Sequence, residues 1–114
     1  RAALAAVYRD SLPAELFTPP SVPAGRTHVY YRFVVRLQKG LQSSDEFTAY
    51  LSRMAHRGLQ CHKPVFRPLH RYLELADFPA SDEADDVAIS LPIYPSLSDD
   101  DVKLASQILQ EELR

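Results

Sequence analysis

Residues 28–37, HVYYRFVVRL, constrain the fold more than any other segment of this chain. β-Branched and aromatic residues dominate the segment, and such residues favour extended strands. The alternation of residues predicts one strand face that carries Val29, Tyr31, Phe33 and Val35. The opposite face of the predicted strand carries His28, Tyr30, Arg32, Val34 and Arg36.

Helical patterns lie on both sides of this strand. Residues 1–12 have apolar side chains at helical spacing, and the proline-rich residues 13–25 that follow predict a linker or an extended surface segment. Ser43 and Glu46 form a capping-box pattern that predicts the start of a second helix. Gly58 supplies the left-handed stop for that helix.

The C-terminal half predicts shorter elements and one long helix. Ser98 and Asp101 have the spacing of a second capping box, and Ser81 or Asp82 is available to cap a short helix. The order of elements predicts an α+β domain, a small sheet of about three strands with helices packed on one face. The short elements are strands over 59–61 and 88–91, an extended loop over 63–68, a helical turn within 69–75 and a helix over 80–86.

Length and composition limit the class of protein. The 114 residues are 46% apolar and 25% charged, which is typical of one soluble globular domain and excludes collagen and wholesale disorder. No apolar run reaches the roughly 20 residues of a membrane span. The single cysteine, Cys61, cannot form an internal disulfide, which favours a reducing cytoplasm. The chain begins at Arg1 and its only methionine is Met54, so we expect a fragment of a longer protein.

Charge is unevenly distributed along the chain. Residues 26–71 carry a net charge of +7 and residues 72–114 a net charge of −9. This asymmetry fits either an anion-binding site on the basic part or two sets of charges spread over solvated faces. No dense basic run or RNA-binding motif is present, so a nucleic-acid partner is not expected.

The chemistry-bearing residues predict no self-contained active site. Cys61, His62 and His70 match no closed zinc pattern, and Cys61 is expected to be a buried, inert side chain. The acids at 82–86 and 99–101 are expected to be caps and solvated helix starts rather than paired catalytic carboxylates. The chain has only three glycines, which form no phosphate-binding loop.

Three segments together resemble one protein family: HVYYRFVVRL, then CHKPVFRPLH after a helix ending in RGL, and finally FPASDEADDVAISLPIYPSLSDDDV. In this order and spacing they resemble the C-terminal domain of the DegT/DnrJ/StrS family of nucleotide-sugar aminotransferases. The resemblance covers nearly the whole chain, and SLPIYPSLSDDDV at 90–102 is its most specific part.

The resemblance implies the small domain of a homodimeric enzyme with the aspartate-aminotransferase fold, fold type I of the pyridoxal-phosphate enzymes. Such enzymes transfer an amino group, usually from glutamate, to a keto sugar on a nucleotide diphosphate. A sugar dehydratase of the same family, which has histidine in place of the cofactor lysine, is an alternative. A free-standing ligand-binding or dimerisation module without catalysis is an alternative from a different class.

The resemblance also divides the chain and assigns its lysines. Residues 1–25 correspond to the end of an inter-domain helix and a linker, and residues 26–114 to the small domain. None of Lys39, Lys63 and Lys103 matches the family's cofactor lysine, which lies in the large domain. The chain alone is therefore expected to be inactive and to bind no pyridoxal phosphate.

By the same resemblance, this domain contributes a wall of the sugar-nucleotide pocket. The implied substrate-binding residues are His28 and Tyr30 at the start of the first strand, with Phe66, Arg67 and His70 in the loop. A sugar diphosphate needs charged donors and a flat packing surface, which such residues supply. A packed Phe66 and a merely solvated Arg67 remain the alternative.

Overall fold

The computed structural model describes residues 1–38, 41 and 43–113. Within these residues the chain forms helices α1 to α5 and strands β1 to β3. In chain order they are α1 (Ala2–Ser11), β1 (Phe17–Thr18), β2 (Phe33–Leu37), α2 (Ser44–His56), α3 (Leu69–Tyr72), α4 (Pro79–Val87), β3 (Ala88–Leu91) and α5 (Asp99–Glu112).

The three strands form one antiparallel sheet in the order β1-β2-β3. Strand β2 lies in the centre, and its Leu37 pairs with Phe17 while its Val35 pairs with Ile89. Strand β3 lies at one edge of the sheet, and its bounds match the strand predicted over 88–91. The predicted α+β class with a small sheet is confirmed.

The core lies on the face of the sheet to which Phe33 and Val35 point, and neither side chain has any exposed surface. Tyr8 of α1, Tyr50 of α2 and Leu109 of α5 belong to the same cluster. The Tyr8 and Phe33 rings stack with their centroids 5.0 Å apart. Burial of such large apolar side chains is the main stabilising contribution, so α1, α2 and α5 are held on this face by packing.

The strand predicted over residues 28–37 is shorter in the structure, where β2 begins at Phe33. Residues 28–32 are not part of β2, because β3 pairs only as far as Phe33 and leaves the preceding residues without a strand partner. Tyr30 has a φ of 52°, in the left-handed region that ends an extended run. Val29 and Tyr31 were predicted for the apolar face, and their side chains are instead 80% and 72% exposed.

Two other strand predictions also differ from the structure. The predicted linker contains β1, and Phe17 of that strand is buried in the core. The predicted strand over 59–61 is wrong, since only a single bridge between His62 and Ser90 forms there. Both differences arise from pairing with residues distant in sequence, which local composition does not reveal.

The two predicted capping boxes mark the starts of α2 and α5. The Ser43 hydroxyl accepts a 3.1 Å hydrogen bond from the Glu46 amide. Ser98 and Asp101 form the full reciprocal box, with distances of 3.1 and 2.9 Å. Gly58 ends the turn after α2 with a φ of 85°.

Helix α4 starts differently from the prediction. Ser81 and Asp82 lie inside the helix, whose flanking residue is Phe78 and whose first turn contains Pro79. Proline lacks an amide hydrogen, so it fits a first turn where that donor would have no helical partner. Across the described ranges, no helix has both the length and the apolar character needed to cross a bilayer.

Candidate functional site

A groove of about 1120 Å³ lies between the chain that follows α2, strand β3 and helix α5. Its polar rim includes Arg32, Arg57, Lys63 and Asp101. The groove therefore combines apolar side chains with polar ones that include three cations. The apolar lining includes Leu51, Leu59, Leu91, Pro92, Leu104 and Ile108.

Arg57 on the rim is bound to acids of α5. It lies 3.4 Å from Glu111 and 3.1 Å from Glu112. The hydrogen bond that it donates to Glu112 is the first of the causes that raise the pKa of its guanidinium. Arg57 therefore ties the end of α2 to α5 rather than presenting a free charge.

The other two rim cations have different partners. Lys63 lies 3.3 Å from the Asp85 carboxylate. Arg32 instead donates a 3.1 Å hydrogen bond to the backbone carbonyl of Pro64. A carbonyl does not neutralise a guanidinium, so Arg32 keeps its charge available at the groove.

Sequence reasoning did not select Arg32, although one signal was available. The alternation of 28–37 placed Arg32 on the same strand face as the predicted site residues His28 and Tyr30. The guanidinium lies 5.6 Å from the centre of the Tyr31 ring. Arg32 thus connects the start of β2 with the start of the 63–70 loop.

His28 and Tyr30 form a small unit outside the groove. Their rings stack 4.3 Å apart, and the Tyr30 amide donates a 2.8 Å hydrogen bond to His28 Nδ1. Tyr30 is buried, and its hydroxyl accepts a 3.2 Å hydrogen bond from Arg9. The His28 side chain is exposed, so it is the more accessible of the two.

Phe66 and Arg67 are at the tip of the proline-bounded loop. The Phe66 side chain is 88% exposed and borders the groove. Arg67 is exposed outside the groove lining, with its guanidinium 5.2 Å from the centre of the Tyr72 ring. Phe66 therefore does not pack in the core.

His70 is positioned differently from the other loop residues. Its side chain is only 8% exposed, and its ring stacks on Phe78 with centroids 5.0 Å apart. Its Nε2 lies 2.9 Å from the Asp82 carboxylate. Hydrogen bonds from Arg71, and then from His70, hold the pKa of Asp82 below its usual value.

The structure thus brings together only part of the predicted set. Phe66 borders the groove, and His28, Tyr30, Arg67 and His70 are not among its lining residues. The acidic residues of the sequence analysis also fall into two groups. Asp99, Asp100 and Asp101 lie in the first turn of α5 as predicted, whereas Asp82 and Asp85 both bind Arg71 of α3.

Cys61 is buried, as the sequence predicts. Burial raises the pKa of its thiol to about 12, so the thiolate that a nucleophile requires is scarce at neutral pH. In the part of the chain that the structure describes, no group of three or more histidine, cysteine or acidic side chains is arranged to hold a metal ion.

The surroundings of two lysines bear on the expectation that none of the lysines anchors pyridoxal phosphate. Lys63 is paired with Asp85, and its Nζ lies 5.0 Å from the centre of the Phe47 ring, so side chains of this domain already hold its amine. Lys103 is exposed on α5, and Lys39 lies outside the described residues.

Comparison with known proteins links this architecture to one enzyme family. The profile of the DegT/DnrJ/EryC1/StrS aminotransferase family matches residues 1–110. No curated protein matches the chain.

Solved structures agree with the profile. The aminotransferase TlmJ from Streptoalloteichus hindustanus is 26% identical, with a TM-score of 0.79 over 98% of this chain and 30% of that one. A DegT DnrJ EryC1 StrS aminotransferase from Brucella abortus is 18% identical, with a TM-score of 0.76 over 96% of this chain and 29% of that one. The sugar aminotransferase Spr1654 from Streptococcus pneumoniae in its PMP form, described as putative, is 16% identical, with a TM-score of 0.79 over 97% and 29%. The chain thus spans about 30% of the length of these aminotransferases.

Proposed function

This chain belongs to the DegT/DnrJ/EryC1/StrS aminotransferase family, and on that premise we propose that it is the small C-terminal domain of a pyridoxal-phosphate-dependent sugar aminotransferase. The proposed reaction transfers an amino group from glutamate to a keto sugar linked to a nucleotide diphosphate. The observation that carries the proposal is the family match over residues 1–110. The proposed enzyme is a cytoplasmic homodimer, and residues 1–25 lead from its large domain into this one.

The role proposed for this domain is to form one wall of the sugar-nucleotide pocket. An exposed aromatic ring at Phe66 offers a flat packing surface for a sugar or base. Exposed Arg67 beside it offers a charge-assisted donor for a phosphate. Pro64 and Pro68 flank Phe66 and Arg67 and restrict the backbone of the loop. Less conformational freedom is therefore lost on binding.

The cofactor chemistry is proposed to depend on the rest of the enzyme. Bound pyridoxal phosphate supplies the electron sink for amino transfer. Incubating this chain alone with the cofactor and then with borohydride should leave no stoichiometric adduct at Lys39, Lys63 or Lys103. A stoichiometric adduct at any of these lysines would contradict the proposal that the cofactor lysine lies in the rest of the enzyme.

The test of the substrate role is Arg67→Ala in the full-length enzyme. Loss of one charge-assisted contact should cost about 1.5–3 kcal/mol, roughly a ten- to hundredfold fall in kcat/KM for the sugar nucleotide, with cofactor absorbance unchanged. The matched control is Arg53→Ala, because Arg53 is also an exposed arginine, pairs with Glu112 and is not among the groove-lining residues. An unchanged kcat/KM with an unchanged melting temperature would assign Arg67 to the surface alone.

A further inference from the structure

The loop that carries Phe66 and Arg67 is held at both ends by one carboxylate. Asp85 Oδ2 lies 3.3 Å from Lys63 Nζ, where the loop begins, and 2.7 Å from Arg71 Nη1 in helix α3, which directly follows the loop. The Asp85 side chain is only 7% exposed. Charge pairs that are shielded from water interact more strongly than those on the surface.

A second carboxylate strengthens one of these ends. Asp82 Oδ1 lies 2.7 Å from Arg71 Nη2 and 2.9 Å from His70 Nε2. Asp82 and Asp85 are three residues apart on α4, so they share one face of the helix. Helix α4 therefore presents two acids to the start of the loop and to helix α3 directly after it.

Apolar packing does little to hold the loop against this helix. No residue of α4 is fully buried. A cavity of about 230 Å³ separates the loop from the helix, lined by Pro64, Val65 and Leu69 on one side and by Ala84 on the other. Pro68, which also lines the cavity, is the one buried residue between residues 63 and 69, so the loop relies on the polar contacts at its two ends for much of its attachment to α4.

We propose that Asp85, assisted by Asp82, is a positioning residue that sets the place of the substrate-binding loop. The inference rests on the proposed function, because it assumes that Phe66 and Arg67 meet the sugar nucleotide. Asp85 brings Lys63 and Arg71 to the same oxygen atom. Without its charge these two cations repel each other, and the two ends of the loop separate.

The experiment is Asp85→Asn in the full-length enzyme, which removes the charge and keeps the side-chain shape. We expect KM for the sugar nucleotide to rise roughly tenfold while kcat changes less than about twofold, because misplaced binding groups weaken binding of the ground state and of the transition state alike. Hydrogen exchange of the backbone amides within residues 65–70 should become roughly tenfold faster, since exchange reports local opening.

The control on the same helix is Glu83→Gln. Glu83 pairs with Arg36 of β2 at 3.2 Å, away from the loop, so its loss should change neither KM nor loop exchange. A second pair of variants keeps the inference testable if Asp85→Asn does not fold. Lys63→Met removes one end of the clamp and should raise KM, whereas Lys63→Arg retains the charge and should not.

The outcomes separate this inference from the proposed function. Unchanged loop exchange in Asp85→Asn and in Lys63→Met would overturn the clamp. Faster exchange with an unchanged KM would overturn the positioning role. If Arg67→Ala and Phe66→Ala also leave KM unchanged, the substrate role of the loop is wrong as well. If these two variants raise KM, only the clamp is wrong.

Discussion

The sheet core and the loop–α4 segment, residues 63–87, are stabilised by different interactions. In the core, Phe33, Tyr50 and Ile89 have no exposed surface. In the loop–α4 segment only Pro68 and His70 are buried. The core therefore closes by packing within this chain, whereas the segment is tied down by ion pairs.

The loop–α4 segment also exposes large apolar side chains. Their number in so short a stretch is typical of a surface that meets another protein surface or a ligand. The contrast between these exposed side chains and the buried ones of the core indicates that the core maintains the fold, whereas the segment is available for binding. The exposed side chains are Val65, Phe66, Leu69, Tyr72, Leu73, Leu75 and Phe78.

The largest expected effect is the loss of stability when a large side chain of the core is removed. Phe33→Ala should lower the free energy of unfolding by about 3–5 kcal/mol, because it leaves a cavity beneath the ring of Tyr8. Urea denaturation of this chain measures the loss. Tyr31→Ala is the control, since the sequence pattern placed both residues on one face and Tyr31 is 72% exposed. Equal losses in the two variants would contradict the boundary of β2 at Phe33.

A smaller loss of stability is expected when the serine that caps α5, a helix of the core, is replaced, and the comparison is a serine inside α4. Ser98→Ala should cost about 1 kcal/mol, because it removes the side-chain acceptor that caps α5. Ser81→Ala should change stability by less than about 0.5 kcal/mol, because Ser81 lies within α4 and caps nothing. Thermal melting of both variants checks this prediction, and a greater loss for Ser81→Ala would refute the start of α4 at Pro79.

The ion pairs of the loop–α4 segment predict that the stability of the fold depends on pH in the acid range. The pKa of Asp82 is lower in the folded chain than its ordinary value, chiefly because Arg71 donates a hydrogen bond to it. A depressed pKa stabilises the fold above the ordinary value for aspartate, about 3.9, and this contribution is lost as pH falls through the folded value.

An NMR titration of the Asp82 carboxyl carbon measures the folded pKa. Arg71→Gln should move the midpoint upward, towards the ordinary value for aspartate. An unmoved midpoint would show that Arg71 does not hold Asp82 in solution.

The smallest expected effect is on the exposed apolar surface. Leu73→Ser should change the free energy of unfolding of this chain by less than about 0.5 kcal/mol, since the Leu73 side chain is 62% exposed. Chemical denaturation compares it with the wild-type chain. A loss as large as that of a core substitution would mean that the loop–α4 segment packs more tightly than its exposure indicates.

The helices with strong local signals were predicted well. Helices α2 and α5 begin after the predicted serine caps, and α2 is followed by the predicted left-handed Gly58. Capping depends on residues within one turn of each other, so the sequence alone contains the interaction. Helix α4 also formed, but its cap was wrong because Pro79 can occupy a first turn without one.

The strands were predicted less well for a definite reason. The composition of 28–37 favours a strand throughout, yet β2 begins at Phe33 because its pairing with β3 ends there. Strand β1 was missed, since two residues in a proline-rich stretch have no local signal. Strand pairing joins residues that are far apart in sequence, and periodicity does not record which partner is present.

In the candidate site, too, contacts between residues distant in sequence were not predicted. Its aromatic ring at Phe66 was selected through a family resemblance, and the structure exposes that ring at the groove. The place of Arg32 and the pairing of Asp85 with both ends of the loop were not predicted, because each joins residues from different parts of the chain.

By itself, the sequence determined the α+β class, the caps of its two longest helices and the burial of Cys61, because these follow from neighbouring residues and from apolar character. Only the tertiary structure decided where β2 ends, which cations face the groove and which acids hold the loop. The physical reason is that a charge acts on whatever the fold places within a few ångströms of it, and that distance is not written in the order of residues.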